Sequence, residues 1–357
     1  MFLFIIFFSL FFVFLHPPVP FVTAKPDPNF QVYTINTPRP AKDHSHKWHN
    51  FQSLQNVEKG SHYSNIIDLK KYLHRFGYLA PQDTNFTDAF DDNFEQAITV
   101  YQSKLGLSVT GNLNYDTISH IISPRCGVPD TLSRLHRKNN YAYFRGQPRW
   151  WRKIPMQLTY AFSAVYIIKS LSLTTIQEVF KRSFGHWSSV IPVTFVEINE
   201  YDNADITIGF YTGDHGDGEA FDGVLGILAH AFSPENGKFH LDAAETWAVD
   251  FGTEESGDAI DLESVVTHEI GHVLGLAHSS VKESIMYPSL KPRHKKVDLK
   301  IDDIKGVQAL YGSNPNFRFG ESSESVISSG NGNDFRTASW TLRTYMFILM
   351  IAHKLCM

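Results

Sequence analysis

HEIGHVLGLAHS, running from His268 to Ser279, sets three histidines, a glutamate and a glycine at fixed short spacings. On a helix, side chains four residues apart share a face, so His268 and His272 can turn their imidazoles toward one point. Two imidazoles so placed make a pair of zinc ligands. Glu269 lies beside the first, where it can take a proton from water activated by the metal. Gly275 lets the helix end and the chain turn, because glycine enters left-handed conformations without steric penalty. That turn brings His278 round as a third ligand. A fourth position stays open to water and substrate, which is the coordination of a catalytic zinc.

A bare HExxH recurs by chance on ordinary amphipathic helices, whereas HExxHxxGxxH also fixes a glycine and a third histidine. Eight residues after His278 comes Met286, in the segment SIMYP. Helix pattern and methionine together resemble the metzincin signature and its Met-turn. The resemblance implies that Met286 lies under the metal as an apolar floor and is not a ligand.

A second constellation, PRCGVPD, occupies residues 124–130. Its Cys126 is one of two cysteines, and the other, Cys356, is second from the end of the chain. One reading of Cys126 is a small buried hydrophobe. The other is a soft thiolate that fills the open zinc position and displaces the water. Here the chain resembles the matrix metalloproteinases, whose propeptide cysteine switch is this segment. The resemblance implies a zymogen in which Cys126 is the inhibitory ligand. Ser279, directly after the third histidine, agrees with that family.

A chain of 357 residues has room for two modest domains with flanking segments. Net charge is −5 with a pI near 6.4, which gives no reason to expect a nucleic-acid partner. The first residues, MFLFIIFFSLFFVFL, form an apolar run, and Val22, Thr23 and Ala24 are small enough for a signal peptidase. We therefore expect a signal peptide over 1–24, although the usual basic start is missing. A secreted chain with no disulfide in prospect points to metal ions as its stabilisers.

Residues 25–60 read as a loose leader. Three helical faces follow: Ile66, Leu69, Leu73 and Phe76; Phe94, Ile98, Tyr101 and Leu105; Tyr115, Ile118 and Ile122. They predict a small three-helix bundle with its aromatics in the core, similar to the peptidoglycan-binding-like propeptide of matrix metalloproteinases. Asn85 begins the one glycosylation sequon, in a loop of this bundle. Residues 154–163, 193–199, 204–211 and 226–234 read as strands, followed by HLDAAETW at 240–247. A helix carrying Ile176, Phe180 and Trp187 lies between the first two, and a last helix falls around 302–312. The fold class is α+β: a mixed twisted sheet with the zinc helix and a C-terminal helix, preceded by the propeptide bundle. Domains are expected at 25–143 for the propeptide and 144–313 for the catalytic unit, with a flexible linker at 314–333. There is no room for a hemopexin domain, so the chain resembles the plant-type branch.

His215, Asp217, His230 and His240 offer three imidazoles and one carboxylate with no open position, which is a structural zinc set. The family resemblance maps the same four residues onto its structural zinc ligands. Asp222, Asp242 and Glu245 gather hard oxygen donors nearby, as calcium prefers, with backbone oxygens of Gly223, Leu225 and Ile227 implied by resemblance. Two zinc ions and at least one calcium are expected. The segment between Ser233 and His240 is shorter than in the family and carries Lys238 where an aspartate stands, which weakens a second calcium site at Asp205.

The resemblance implies a secreted zinc endopeptidase, monomeric, acting on protein or peptide substrates with an apolar P1′ residue. Its S1′ pocket would lie between the zinc helix and Pro288-Ser289-Leu290. The alternative is a catalytically silent metalloproteinase fold serving as an extracellular binding protein. At the other end, small residues at 328–333, a polar spacer and an apolar tail over 345–352 have the layout of a glycolipid-anchor signal. That tail is too short to span a bilayer. The expectation is a GPI signal at 334–357, attached at Ser329, Asn331 or Asn333 and placing the protein on the outer face of the plasma membrane.

Overall fold

The structure is a computed structural model that describes residues 47–130, 137–138, 141–153 and 155–318. The expected signal peptide, the expected linker beyond Arg318, and the expected anchor signal with its candidate attachment residues Ser329, Asn331 and Asn333 lie outside the described residues.

The N-terminal unit is built from α1 (Ser64–Arg75), α2 (Asp92–Lys104) and α3 (Tyr115–Ile121). Asp91 and Asn114 cap α2 and α3 by accepting from Phe94 N and Thr117 N, which satisfies backbone donors that a helix start leaves free. Leu69, Leu73, Phe76, Phe94, Ile98, Tyr101 and Ile118 fill the core as the periodicity predicts. Gln102 is fully buried, and its amide holds α2 to the following loop and to Thr117 Oγ1 at 2.9 Å.

Two readings are corrected here. Residues 47–54 are not loose leader: Lys47–Leu54 is a 3-10 helix whose Trp48, Phe51 and Leu54 join the bundle core. Their spacing of three matches three residues per turn, a period that a search for helical 3.6 overlooks. Tyr115 is not core but 67% exposed, because it opens the first turn of α3 before that helix reaches the bundle.

The larger unit follows β1 (Arg125–Cys126), β2 (Arg137–Lys138) and β3 (Tyr141–Tyr143). It contains β4 (Met156–Phe162), α4 (Leu173–Ser188), β5 (Val193–Glu197), β6 (Ile206–Tyr211), β7 (Ile227–Ala231) and β8 (Lys238–Asp242). The short pair β9 (Trp247–Ala248) and β10 (Ile260–Asp261) leads into α5 (Leu262–Val273), then β11 (Leu276–Ala277) and α6 (Ile301–Tyr311). The main sheet has the order β1-β7-β8-β6-β4-β5, with β7 and β8 antiparallel and the other catalytic-unit pairs parallel. The class is α+β, as expected.

Every residue of α5 is buried, so this helix lies inside the domain between sheet and α4. Trp187 of α4 is fully buried and its indole N–H donates to Thr267 O at 2.9 Å, which fixes the axial position of the zinc-binding helix. Gly275 has φ +99, and a Cβ there would strike the carbonyl of Pro148. Only glycine fits that turn. The predicted strands and helices all form, within the usual shift of element ends.

Candidate active site

Asp261 caps α5 by accepting from Ser264 N at 2.8 Å, and the helix then runs without interruption through His268 and His272. The turn at Gly275 leads back along β11 to His278. The result places His268 Nε2 and His272 Nε2 3.1 Å apart, and His272 Nε2 and His278 Nε2 also 3.1 Å apart. Each ring is oriented from its other nitrogen. His268 Nδ1 donates to Ile285 O at 2.7 Å, His272 Nδ1 to Leu276 O at 2.8 Å and His278 Nδ1 to Asp130 Oδ1 at 2.6 Å. Those bonds fix the tautomer and leave three Nε2 lone pairs facing one point, as zinc-bound histidines require. Burial, aided by neighbouring imidazoles, pushes His268 and His272 well below the ordinary histidine range, which favours the neutral ligand form.

Cys126 Sγ completes the group, 3.4 Å from His272 Nε2, with all four candidate ligand atoms within 4.8 Å of one another. Glu269 sits beside them, fully buried, with no partner of good hydrogen-bond geometry. The Cys126 thiol and the Ala231 amide lie close enough to favour its charge a little, but burial outweighs them and raises its pKa to about 8. Two orphan oxygens next to three converging imidazoles fit a cation and its water. Met286 is buried below, and a Cβ on Gly271 would collide with its sulfur, so helix and Met-turn touch closely.

Strand β1 reaches this group by lying in a slot. Arg125 N and Gly127 N donate to Gly226 O and Ala229 O along the edge of β7, at 3.0 and 2.8 Å. On the other side Cys126 N donates to Pro288 O at 2.9 Å and Leu290 N to Pro124 O at 3.1 Å. The segment 124–127 is therefore sandwiched by main-chain bonds between β7 and the wall 288–290. Beneath Cys126 a small cavity of about 20 Å³ is bounded by Leu228, Val265, His268, Ile285 and Leu290, the place expected for the S1′ pocket.

Sequence reasoning passed over the two charged ends of PRCGVPD. Arg125 and Asp130 are fully buried and paired at 2.7 Å; the guanidinium stacks 3.7 Å from the Phe76 ring centroid, and Tyr78 OH donates to Asp130 Oδ2 at 2.7 Å. Burial opposes the Asp130 charge, but Arg125 and His278 outweigh it and hold the carboxyl below the usual range. Two opposite charges five residues apart in an otherwise apolar motif were the available signal.

Residues 149–312 match the matrixin family model, and residues 62–121 match that of a peptidoglycan binding domain. Metalloendoproteinase 4-MMP of Arabidopsis thaliana is 52% identical over 292 residues, covering 80% of this chain and 84% of the relative. Metalloendoproteinase 1 of Glycine max is 42% identical over 264 residues, covering 72% and 85%. Matrix metalloproteinase-20 of Homo sapiens is 37% identical over 269 residues, covering 74% of this chain and 49% of that protein.

The chain is a matrixin. It is accordingly a zinc metalloendopeptidase, and His268, His272 and His278 fit as the holders of its catalytic metal.

This matrixin brings its second predicted set together as well. Asp217 Oδ2 lies 2.9 Å from His215 Nε2, 2.8 Å from His230 Nε2 and 2.7 Å from His240 Nδ1. Four donors around one point with no gap fit a structural zinc. Next to it Asp222, Asp242 and Glu245 converge on the loop 222–227, where Gly223 N donates to Asp242 Oδ2 and Leu225 N to Glu245 Oε1. Glu245 Oε2 is buried without a partner, and burial raises Asp242 to about 7. Carboxylates that crowd at such a cost fit a hard cation. Asp205 differs: Thr159 and Arg152 occupy both of its oxygens, so it has no donor to spare. Asn85 lies in the loop between α1 and α2 and is exposed.

Proposed function

We propose that this matrixin is made as a secreted, latent zymogen in which Cys126 occupies the coordination position that water and substrate use after maturation. The observation that carries the reading is Cys126 Sγ at 3.4 Å from His272 Nε2, at the tip of a strand bonded to both walls of the substrate slot. Burial raises the thiol pKa of Cys126 well above its usual value, so a metal must be bound for the thiolate to form. A bound zinc supplies Lewis acidity toward the scissile carbonyl and its water. Glu269 is placed to take a proton from that water and to return one to the leaving amine, since it lies buried beside the three imidazoles without being one of the converging ligand groups. The edge of β7 aligns substrate by strand addition once 124–127 has left it. An apolar P1′ side chain enters between Val265 and Leu290.

The proposed units are a signal peptide at 1–24, a propeptide at 25–143, the catalytic domain at 144–313, a linker at 314–333 and a removed anchor signal at 334–357. Maturation cuts between Asn139 and Trp150. In the precursor β3 pairs with β11 beside His278, and its Tyr141 and Tyr143 pack in the larger core, so the segment around the cut is held against the catalytic domain. Asp303 already accepts from Ser284, Ile285 N, Met286 N and Lys300 N, so Asp302 is the carboxylate left for the new amino terminus. Calcium is held by Asp222, Asp242 and Glu245 with backbone oxygens of Gly223, Leu225 and Ile227. Glycosylation at Asn85 and a glycolipid anchor at Ser329, Asn331 or Asn333 complete the reading. Among the described residues no helix is long and apolar enough to cross a membrane.

Cleavage of a peptide library by the refolded domain 144–313, beside the intact precursor, tests the enzyme and its latency together. Activity confined to the domain, with an apolar P1′ residue, is expected; equal activity in the precursor overturns the zymogen. Release of the cell-surface protein by phosphatidylinositol-specific phospholipase C tests the anchor, which full-length protein in the medium with Met357 retained would refute.

A further inference from the structure

Where bundle and catalytic domain meet, a second cleft of about 720 Å³ opens behind the wall 287–290. One side is the loop after α2 and the face of α3, with Ser108, Tyr115 and Ser119; the other is catalytic-domain chain from Lys282 to Lys296. His120 lies at the junction, its Nδ1 2.6 Å from Tyr101 OH and its Nε2 2.7 Å from Tyr287 OH.

The charge of this cleft opposes that of the chain. Lys282, Lys291, Lys295 and Lys296 line it, against the single carboxylate of Asp116, in a protein of net charge −5. Lys295 is paired with Glu263 at 3.0 Å, and Lys296 gives its ammonium to Ser284 O at 2.8 Å. Lys282, Lys291 and His294 are exposed and have no carboxylate partner within 4.0 Å among the described residues. Both free lysines act on the cleft interior, since their charge helps depress the His120 pKa.

We propose that this cleft binds an acidic polysaccharide, whose carboxylate or sulfate groups pair with Lys282, Lys291 and His294. A chain can enter a two-walled groove that a flat lipid surface cannot. Tyr115, exposed at the rim, offers an apolar ring face to a sugar, and Ser108 and Ser119 offer hydroxyls to its own. Because both domains wall the cleft, the ligand favours the docked arrangement by linkage: at about 100 times Kd, undocking becomes about 100-fold rarer. This consequence rests on the zymogen reading; binding itself does not.

The test uses the full-length Glu269→Ala precursor, which cannot cleave itself, titrated with polygalacturonate, heparin and neutral dextran. Binding of at least one anionic polymer, loosened between about 50 and 200 mM salt, with none to dextran, is expected. Heparin alone identifies sulfate as the recognised group; polygalacturonate as well shows that carboxylate suffices. The variant Lys282→Gln/Lys291→Gln/His294→Gln should bind at least about tenfold more weakly, and Lys153→Gln/Lys169→Gln/Lys181→Gln should match the parent. Absence of polymer binding, equal binding of dextran, or equal losses in both triple variants overturns the site. The rate of Cys126 alkylation, followed by peptide mass, should fall on saturation; an unchanged rate with binding intact refutes the coupling to latency alone.

Discussion

His278 donates from Nδ1 to Asp130 Oδ1 at 2.6 Å, so one imidazole of the candidate metal centre is oriented by a carboxylate at the end of the PRCGVPD segment. The same carboxylate pairs with Arg125 and accepts from Tyr78, all fully or nearly fully buried. Metal ligand, switch segment and helical bundle are thereby joined through one side chain.

Asp130→Ala should therefore loosen the propeptide and the metal centre together. It leaves the Arg125 guanidinium buried and uncompensated, a loss of about 3–5 kcal/mol in comparable pairs. Cys126 alkylation in the precursor should accelerate by two orders of magnitude or more. The double variant Arg125→Met/Asp130→Ala should alkylate more slowly than the single one, since it removes the unpaired charge. Equal rates in the two would mean that the ion pair does not hold the segment.

His120 gives the docked form a pH dependence. Burial, with Arg125, Lys282 and Lys291 among the neighbouring charges, depresses its pKa from the ordinary 6.5 to about 3, and undocking would return the ring toward the ordinary value by opening it to water. The docked state binds fewer protons in that window, so its stability is complete above about pH 6.5 and falls as pH drops toward 3. The slope from this group is at most about tenfold in the docking equilibrium per pH unit. His120→Gln should flatten the dependence of bundle undocking on pH between 4 and 6.5, measured by tyrosine and tryptophan fluorescence. An unchanged slope would place the titration elsewhere.

Two glycines separate latency from catalytic-domain stability. A Cβ on Gly127 would approach Ile227 Cγ2 to 2.7 Å and lift the switch segment off β7, while touching only propeptide docking. Gly127→Ala should raise precursor activity, and it leaves no substitution in the mature domain, which has lost residue 127. Gly271→Ala meets the Met286 sulfur and Trp187 inside the catalytic core, and should destabilise the mature domain by about 1–3 kcal/mol. A Gly127→Ala precursor as inactive as the parent, or matching melts for the parent and Gly271→Ala mature domains, would contradict the division.

The metal centre was legible because its ligands lie within eleven residues, on one helix and the turn after it. Helical period and a required glycine are enough to aim His268, His272 and His278. The structural zinc set was legible through resemblance, since nothing local in 215–240 forces four side chains onto one point. Asp130 with His278, and His120 with Tyr287, were not legible. They lie 148 and 167 residues apart and depend on how two separately folded units dock. Tyr115 fitted an apolar stripe and yet is exposed, because periodicity says which residues share a face but not how far along the helix that face stays covered.

Glu269→Ala should abolish hydrolysis by the mature domain and leave its metal content near two zinc ions per chain. The carboxylate is outside the converging group His268, His272 and His278, and its two oxygens have no partner of good hydrogen-bond geometry whose loss would disturb that group. Elemental analysis decides: one zinc per chain in the parent removes the site at His215, Asp217, His230 and His240, and loss of zinc in the variant reassigns Glu269 as a ligand.

Cys126→Ser isolates the thiol from everything else that holds the propeptide down. The main-chain bonds of 124–127, the Arg125–Asp130 pair and the His120–Tyr287 contact all survive the exchange of sulfur for oxygen. What changes is the ligand, because a hydroxyl binds zinc far more weakly than a thiolate and yields its position to water. The variant precursor should mature itself without an added protease, and mercurials or oxidants should release the wild type by acting on the same sulfur. Self-maturation is read on a gel as loss of the propeptide, with the Glu269→Ala/Cys126→Ser double variant staying intact as the control. A Cys126→Ser precursor as inert as the parent would mean that the bundle silences the enzyme by covering the slot, and that the thiol contributes nothing to latency.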